Sequence, residues 1–223
     1  MKFGKAEIKK LHEDKFLLES FNTLRTNLLY TKDLQVIAIT SSTPNEGKTT
    51  SAFYLAKSYI EIGKKVILID CDLRKASLRK FFTVKVKAKG LSDFLSQQSQ
   101  EFIHETSEEN LFVIFAGQIP PNPTELLTSS KFDSLIQTLK EEFDIVIIDT
   151  SPMSAGIDAS IIGRVADGIV LVIRNNFVKK HTCKRVKKEL ERNGGRVVGA
   201  VLNRIEKHQT DYYEYGYGEY YSS

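Results

Sequence analysis

Cysteine is scarce: Cys71 and Cys183 are the only two in 223 residues, far apart and without histidine at ligand spacing. That scarcity argues against a disulfide scaffold or a zinc site and fits a reducing compartment. Long apolar runs are missing too. The longest, such as Val66–Ile69 and Ile145–Ile148, are far too short to cross a bilayer. Met1-Lys2-Phe3-Gly4-Lys5 has no apolar h-region, so neither a membrane span nor a secretory leader is expected. Net charge is only +4, and no nucleic-acid partner is expected. The cations are nevertheless unevenly spread. One stretch holds Lys75, Arg79, Lys80, Lys85, Lys87 and Lys89; another holds Lys179, Lys180, Lys184, Arg185, Lys187 and Lys188. Each reads either as a solvated helix face or as a surface for phosphates, an anionic membrane or phosphorylated protein.

What is present is the material of one globular domain: 41% hydrophobic and 27% charged residues, at a length that supports a full core. Apolar, β-branched runs of strand length alternate with segments of helical period. This predicts an α/β fold with a mostly parallel sheet flanked by helices on both faces. Strands are expected at Val36–Thr40, Val66–Asp70, Leu111–Phe115, Ile145–Asp149, Gly168–Ile173 and Val197–Leu202. Helices are expected at about Asp14–Leu29, Lys48–Ile60, Ser130–Glu142, Asp158–Val165 and Lys179–Arg192. Gly117–Pro123, with three prolines, reads as a loop. Residues 1–211 form the domain. Residues 212–223 differ in kind, with six of the nine tyrosines, two glycines and no aliphatic side chain, which predicts a mobile tail.

Three segments carry chemistry. Ser41-Ser42-Thr43-Pro44-Asn45-Glu46-Gly47-Lys48-Thr49-Thr50 follows a predicted strand and opens a predicted helix. In that setting backbone N–H groups cradle phosphates, Lys48 reaches the β and γ groups, and Thr49 offers its hydroxyl to magnesium. Ser42 stands where the strict pattern has glycine, while Asn45 tolerates the left-handed conformation such a turn demands. Ile145–Asp149 is an apolar strand ending in an acid, suited to holding magnesium through water; a strand-ending aspartate also serves simply as a helix cap. Val66-Ile67-Leu68-Ile69-Asp70-Cys71-Asp72-Leu73-Arg74 ends in two carboxylates and an arginine. Two acids beside a triphosphate are costly unless a metal or a transferable proton accompanies them. One can serve the magnesium shell while the other takes a proton from an attacking hydroxyl.

Together these segments resemble the Walker A, A′ (hydrophobics, then Asp-x-Asp-x-Arg) and Walker B elements of the bacterial tyrosine kinases of capsule and exopolysaccharide systems. The likeness is to the separate cytoplasmic kinase subunit of Gram-positive bacteria. Gly117–Leu127, the helix around Glu19–Leu28 and the tyrosine tail extend the resemblance over nearly the whole chain. It implies a P-loop NTPase fold and a tyrosine kinase using ATP and magnesium. Ser42, Pro44, Asn45, Glu46, Gly47, Lys48, Thr49 and Thr50 would hold the nucleotide; Thr49, Asp72 and Asp149 the metal; and Lys48, Asp70 and Asp72 would be catalytic, with Asp70 as the base. Tyr212, Tyr213, Tyr215, Tyr217, Tyr220 and Tyr221 would be autophosphorylated in trans, within a homo-oligomer joined through Glu19 and Arg25. The resemblance further implies a membrane activator of the polysaccharide co-polymerase type that recruits the chain to the inner membrane face. A cognate phosphotyrosine phosphatase and external protein-tyrosine substrates are implied as well. Asn22 replaces an arginine of the family's association motif, and Pro44-Asn45 replaces its Pro-Gly.

Two rivals remain. A MinD- or ParA-like ATPase switch would carry a second lysine early in the loop, where Thr43 stands. A non-catalytic scaffold, phosphorylated by another kinase, would not need the set Lys48, Asp70, Asp72 and Asp149. The Gly-rich, His-Arg-Asp and Asp-Phe-Gly elements of eukaryotic-type kinases are absent.

Overall fold

The computed structural model describes residues 3–10, 15–84 and 88–205. Nine strands form one sheet: β1 (Phe3–Ile8), β2 (Val36–Ser41), β3 (Val66–Asp70), β4 (Phe82–Val84), β5 (Ile103–Thr106), β6 (Leu111–Ile114), β7 (Ile145–Asp149), β8 (Gly168–Arg174) and β9 (Val197–Asn203). Their spatial order is β4-β1-β5-β6-β3-β7-β2-β8-β9. All neighbours run parallel except β1 with β4 and β5 with β6. Among the described residues seven α-helices connect them: α1 (Lys15–Leu29), α2 (Lys48–Ile60), α3 (Leu91–Leu95), α4 (Pro123–Leu127), α5 (Ser130–Glu142), α6 (Asp158–Val165) and α7 (Lys180–Arg192).

Strand alternation divides the core into two layers. Ile37, Ile39, Leu68 and Ile147 point to one face and pack with Phe21 and Leu28 of α1 and Phe53, Leu55 and Tyr59 of α2. Val36, Ala38, Ile67, Ile69, Val146 and Ile148 point to the other, against Phe132, Ile136 and Leu139 of α5, Ile162 of α6 and Val186 and Leu190 of α7. The central strands β2, β3 and β7 are buried along their whole length. Helices cover both sides of them, which is why they read as continuous apolar runs.

All six expected strands and all five expected helices are present, with the α1 boundary residue Asp14 and the tail 212–223 lying outside the described residues. Three strands and two helices were not anticipated. β1, β4 and β5 hold few buried residues, and α3 and α4 have five residues each, too few for helical periodicity to register. α4 corrects the reading of Gly117–Pro123 as loop throughout, because Pro123 opens this helix, where its missing N–H costs nothing.

Asp167 pins the entry of β2. Its Oδ2 accepts from the backbone N–H groups of Gln35 (3.0 Å) and Val36 (2.7 Å), and its Oδ1 from Lys140 Nζ (2.9 Å). Burial raises the Asp167 pKa, but the Lys140 bond and the two N–H groups outweigh it and hold the carboxyl below its ordinary value. We expect Asp167→Ala to cost about 1–3 kcal/mol in urea unfolding at neutral pH. Because the folded pKa is depressed, this contribution is present above the ordinary carboxylate value of about 4. It disappears as pH falls through the lower folded one, where wild type and variant should converge.

Candidate active site

The three chemical segments converge because their strands are neighbours. β3, β7 and β2 lie side by side, so the loops leaving their C-terminal ends meet at one edge of the sheet, where open α/β folds bind ligands. Registry sets the finest detail: Asp70 of β3 is the lateral partner of Asp149 of β7, and Asp149 that of Ile39 of β2.

The phosphate loop is held by its own residues. Asn45 (φ 67°) and Gly47 (φ 102°) adopt the left-handed conformation, so asparagine supplies the turn that glycine gives elsewhere. Glu46, fully buried, turns inward. Its carboxylate accepts from Thr43 N (2.6 Å), Thr43 Oγ1 (3.1 Å) and Arg174 N (3.2 Å), and its carbonyl from Asn203 Nδ2 (2.8 Å). The Glu46 side chain is therefore a brace of the loop, which leaves only its backbone to face a ligand. A Cβ on Gly47 would sit 2.1 Å from Asn203 Nδ2, so glycine is required there twice over.

Above the loop opens a cleft of about 480 Å³, lined by Pro44, Asn45, Gly47, Lys48, Thr49, Thr50 and Asp72 among the expected residues. Ser42, Glu46, Asp70 and Asp149 are not on its walls; they lie buried beneath. Among the described residues six cations border the cleft, Lys48, Arg74, Lys75, Lys80, Arg174 and Arg204, against the single carboxylate of Asp72, a balance that suits a polyanion. Lys75 and Lys80 belong to the basic stretch whose second reading was a surface for phosphates, whereas Arg174, Arg204 and Ser77 were not anticipated. Arg174 ends β8 and Arg204 follows β9; their position at the same sheet edge was the available signal.

The buried acids beneath the cleft are electrostatically frustrated. Among the described residues neither Asp149 oxygen has a hydrogen-bond partner, and the Ser42 and Ser151 hydroxyls are equally unpaired. Thr49 opposes the rise in the Asp149 pKa, and its hydroxyl also shares a hydrogen bond with Ser77 Oγ at 2.6 Å, in which either oxygen can donate. Burial raises the Asp149 pKa, with Lys48 opposing. Burial and the Asp149 charge push that of Asp70 well up. Orphaned carboxylate oxygens in a dry site are the signature of a position completed by a cation. Among the described residues, no group of three or more His, Cys, Asp or Glu forms a metal cage by itself. The donors present, Asp149, Thr49 and Asp72, fit a hard divalent ion that takes its remaining oxygens from phosphates and water.

The two acids of the A′ segment part company. Asp70 is wholly buried, its Oδ1 accepting from Asp72 N (3.1 Å) and its Oδ2 from Leu78 N (3.1 Å). The chain leaves β3 after Asp70, which swings Asp72 to the cleft wall, where Oδ1 accepts from Lys75 N at 2.9 Å. Arg74 is held by Asp158 (Nε to Oδ2 2.6 Å, Nη2 to Oδ1 3.2 Å) and by Thr124 Oγ1 (3.0 Å). Thr124 of α4 and Asp158 of α6 thereby brace Arg74 at the cleft wall from behind.

Arg25 is placed differently from a free association residue. Its Nη1 donates to Ser58 O (2.6 Å) and to Asn22 Oδ1 (3.1 Å), and Glu61 lies 3.9 Å away. It faces α2 of its own chain; Glu19 remains exposed, 3.7 Å from Lys15. The six tail tyrosines, Tyr212 to Tyr221, lie outside the described residues.

A family model described as an AAA domain matches residues 34–192, which span the three motifs from β2 to the end of α7. The tyrosine-protein kinase CpsD of Streptococcus pneumoniae is 39% identical over 216 residues, 95% of each chain. The kinase domain of the Escherichia coli tyrosine kinase ETK superposes with a TM-score of 0.81 at 33% identity, over 85% of this chain and 76% of that one. MinD of Pyrococcus horikoshii, in complex with Mg-ADP, reaches a TM-score of 0.65 at 24% identity over 78% and 72% of the two chains. That likeness shows the P-loop nucleotide-binding fold, and it is more distant than the likeness to the kinases. With a phosphate loop and two strand-end acids at one sheet edge, and kinship along nearly its full length, the chain belongs to the bacterial tyrosine-protein kinases of the capsule type.

Proposed function

We propose that this cleft binds ATP with magnesium and transfers the γ-phosphoryl group to tyrosine hydroxyls. The foremost acceptors in this reading are Tyr212, Tyr213, Tyr215, Tyr217, Tyr220 and Tyr221 of a neighbouring copy. The observation that carries it is the buried pair Asp70 and Asp149, with both Asp149 oxygens unpaired under a cleft bordered by six cations. Lys48 and the backbone of residues 42–50 would hold the phosphates, and Thr49, Asp72 and Asp149 would hold the metal. Magnesium, when bound, would supply neutralisation of phosphate charge.

A tyrosine hydroxyl ionises near pH 10, so a carboxylate must take its proton at neutral pH. Raised proton affinity suits Asp70 to that task. Its burial under the Asp72–Leu78 segment means that this segment must shift as the tyrosine enters. Arg74, tied to Asp158, keeps the far wall in place. A tail at residues 212–223 raises local acceptor concentration within an oligomer. Each phosphate adds about −1.5 to −2 charges, which would drive tails apart. A membrane activator that recruits the chain to the inner membrane face, a cognate phosphatase and a role in capsular or exopolysaccharide export complete the reading.

The test is incubation of the purified chain with ATP, magnesium and an activator segment, followed by phosphosite mass spectrometry. Phosphate on the tail tyrosines supports the assignment; phosphate confined to serine or threonine overturns it. Light scattering addresses the assembly switch. Wild type should dissociate on incubation with ATP, whereas a variant with all six tail tyrosines changed to phenylalanine should keep its mass. Equal masses for both proteins, before and after ATP, would remove the tail from that role. Asn22, which draws Arg25 inward, would then account for a chain monomeric throughout.

A further inference from the structure

We propose that the outer face of α7 docks directly on an anionic lipid bilayer. Residues 179–192 carry seven lysines and arginines against two glutamates, a net +5. The whole chain is +4, so all other residues together stand at −1. The protein's entire positive excess is therefore on one surface element. α7 buries Cys183, Val186 and Leu190. At helical spacing Lys180, Lys184, Arg185, Lys188 and Arg192 fall within an arc of about 140° on the opposite side. All five are exposed. Among the described residues, none of the five has an ion-pair partner; Lys187 alone on this helix is paired, with Glu191.

This arrangement works against the helix itself. Lys179 stands at the N-cap with no side-chain cap, and no acid lies in the first turn. Cations there meet the positive end of the helix field, and like charges at i, i+4 repel along the stripe Lys180, Lys184, Lys188. A sequence that sacrifices local stability in this way does so for a partner. The partner's shape follows from the surface. Among the described residues, these five side chains line neither the cleft above the phosphate loop nor the grooves beside Phe102, His104 and Asn22. They form a row about 20 Å long, which matches an extended anionic plane better than a single phosphate. Phe177, immediately before the helix, is 48% exposed and stacked on Arg174 at 4.4 Å. An aromatic ring beside a basic row is the combination that seats a helix at the headgroup level of a membrane.

The experiment is co-sedimentation of the full chain, without nucleotide, on vesicles of phosphatidylcholine alone or with about 30% phosphatidylserine. Binding should be at least about tenfold tighter on the anionic vesicles and should weaken as salt rises from about 0.1 to 0.5 M. The quadruple variant Lys180→Gln, Lys184→Gln, Arg185→Gln, Lys188→Gln should lose roughly 100-fold or more of that affinity. It should keep wild-type autophosphorylation in vesicle-free solution, a readout that separates lipid docking from the kinase reading. Equal binding to both vesicle types, or an unaffected quadruple variant, would overturn the proposal. So would tighter binding, through the same four residues, to a phosphorylated peptide covering Tyr212–Tyr221 or to duplex DNA.

Discussion

Lys48→Met should lower tyrosine phosphorylation by about 10³-fold or more while leaving the fold intact. The side chain is 8% exposed and lines the cleft, and among the described residues no hydrogen bond or ion pair engages it. Burying that ammonium costs the folded state desolvation, while its charge offsets that of the buried Asp149 carboxyl, so an apolar chain of similar length removes one cost and adds another. The melting temperature should therefore change little as activity vanishes. Phosphotyrosine formation at the wild-type rate by a well-folded Lys48→Met protein would sink the kinase mechanism at this cleft.

A comparably large effect is expected from the A′ acids, with a division of labour between them. Asp70→Asn should keep ATP and magnesium binding but cut transfer by about 10²–10⁴-fold, the range for loss of a general base. Asp72→Asn, changed at the cleft wall, should raise the magnesium concentration needed for half-maximal rate. Calorimetric titration of ATP with and without magnesium, set beside transfer rates, separates the two. If Asp70→Asn weakened the binding of ATP and magnesium but transferred at the normal rate once ATP was saturating, the roles would be reversed.

The sequence was most readable where burial is complete. β2, β3 and β7 are apolar on both faces and end in a phosphate loop or an acid, so both the elements and their chemistry could be read before any coordinates. Asn45 was legible for a similar reason, since a single backbone angle (φ 67°) governs which residues fit. The peripheral strands were not. Phe3–Ile8 buries only Ala6 fully, and its pairing with β4 and β5 depends on partners distant in sequence. Side-chain direction was the other blind spot. An Asp-x-Asp spacing offers two acids with different tasks but does not say which of them faces the cleft; β3 ends between them and only Asp72 reaches the wall. Arg25 looked free for a neighbour, but the carbonyl of Ser58 and the amide of Asn22 hold it inside the chain. Glu46, expected at the nucleotide, spends its carboxylate on Thr43 and Arg174. Such outcomes depend on tertiary geometry that local pattern does not encode.

The central claim, transfer from ATP at this cleft to the tail of another copy, is tested most directly by a mixing experiment. The variant with all six tail tyrosines changed to phenylalanine has an intact cleft and no tail acceptor; Lys48→Met has an intact tail and no activity. Incubated separately with ATP, magnesium and an activator segment, neither should gain phosphate on a tail. Mixed, they should yield phosphotyrosine at Tyr212–Tyr221 of the Lys48→Met chain, resolved by mass. Absence of phosphate from that chain in the mixture, under conditions where wild type modifies its own tail, would contradict the account.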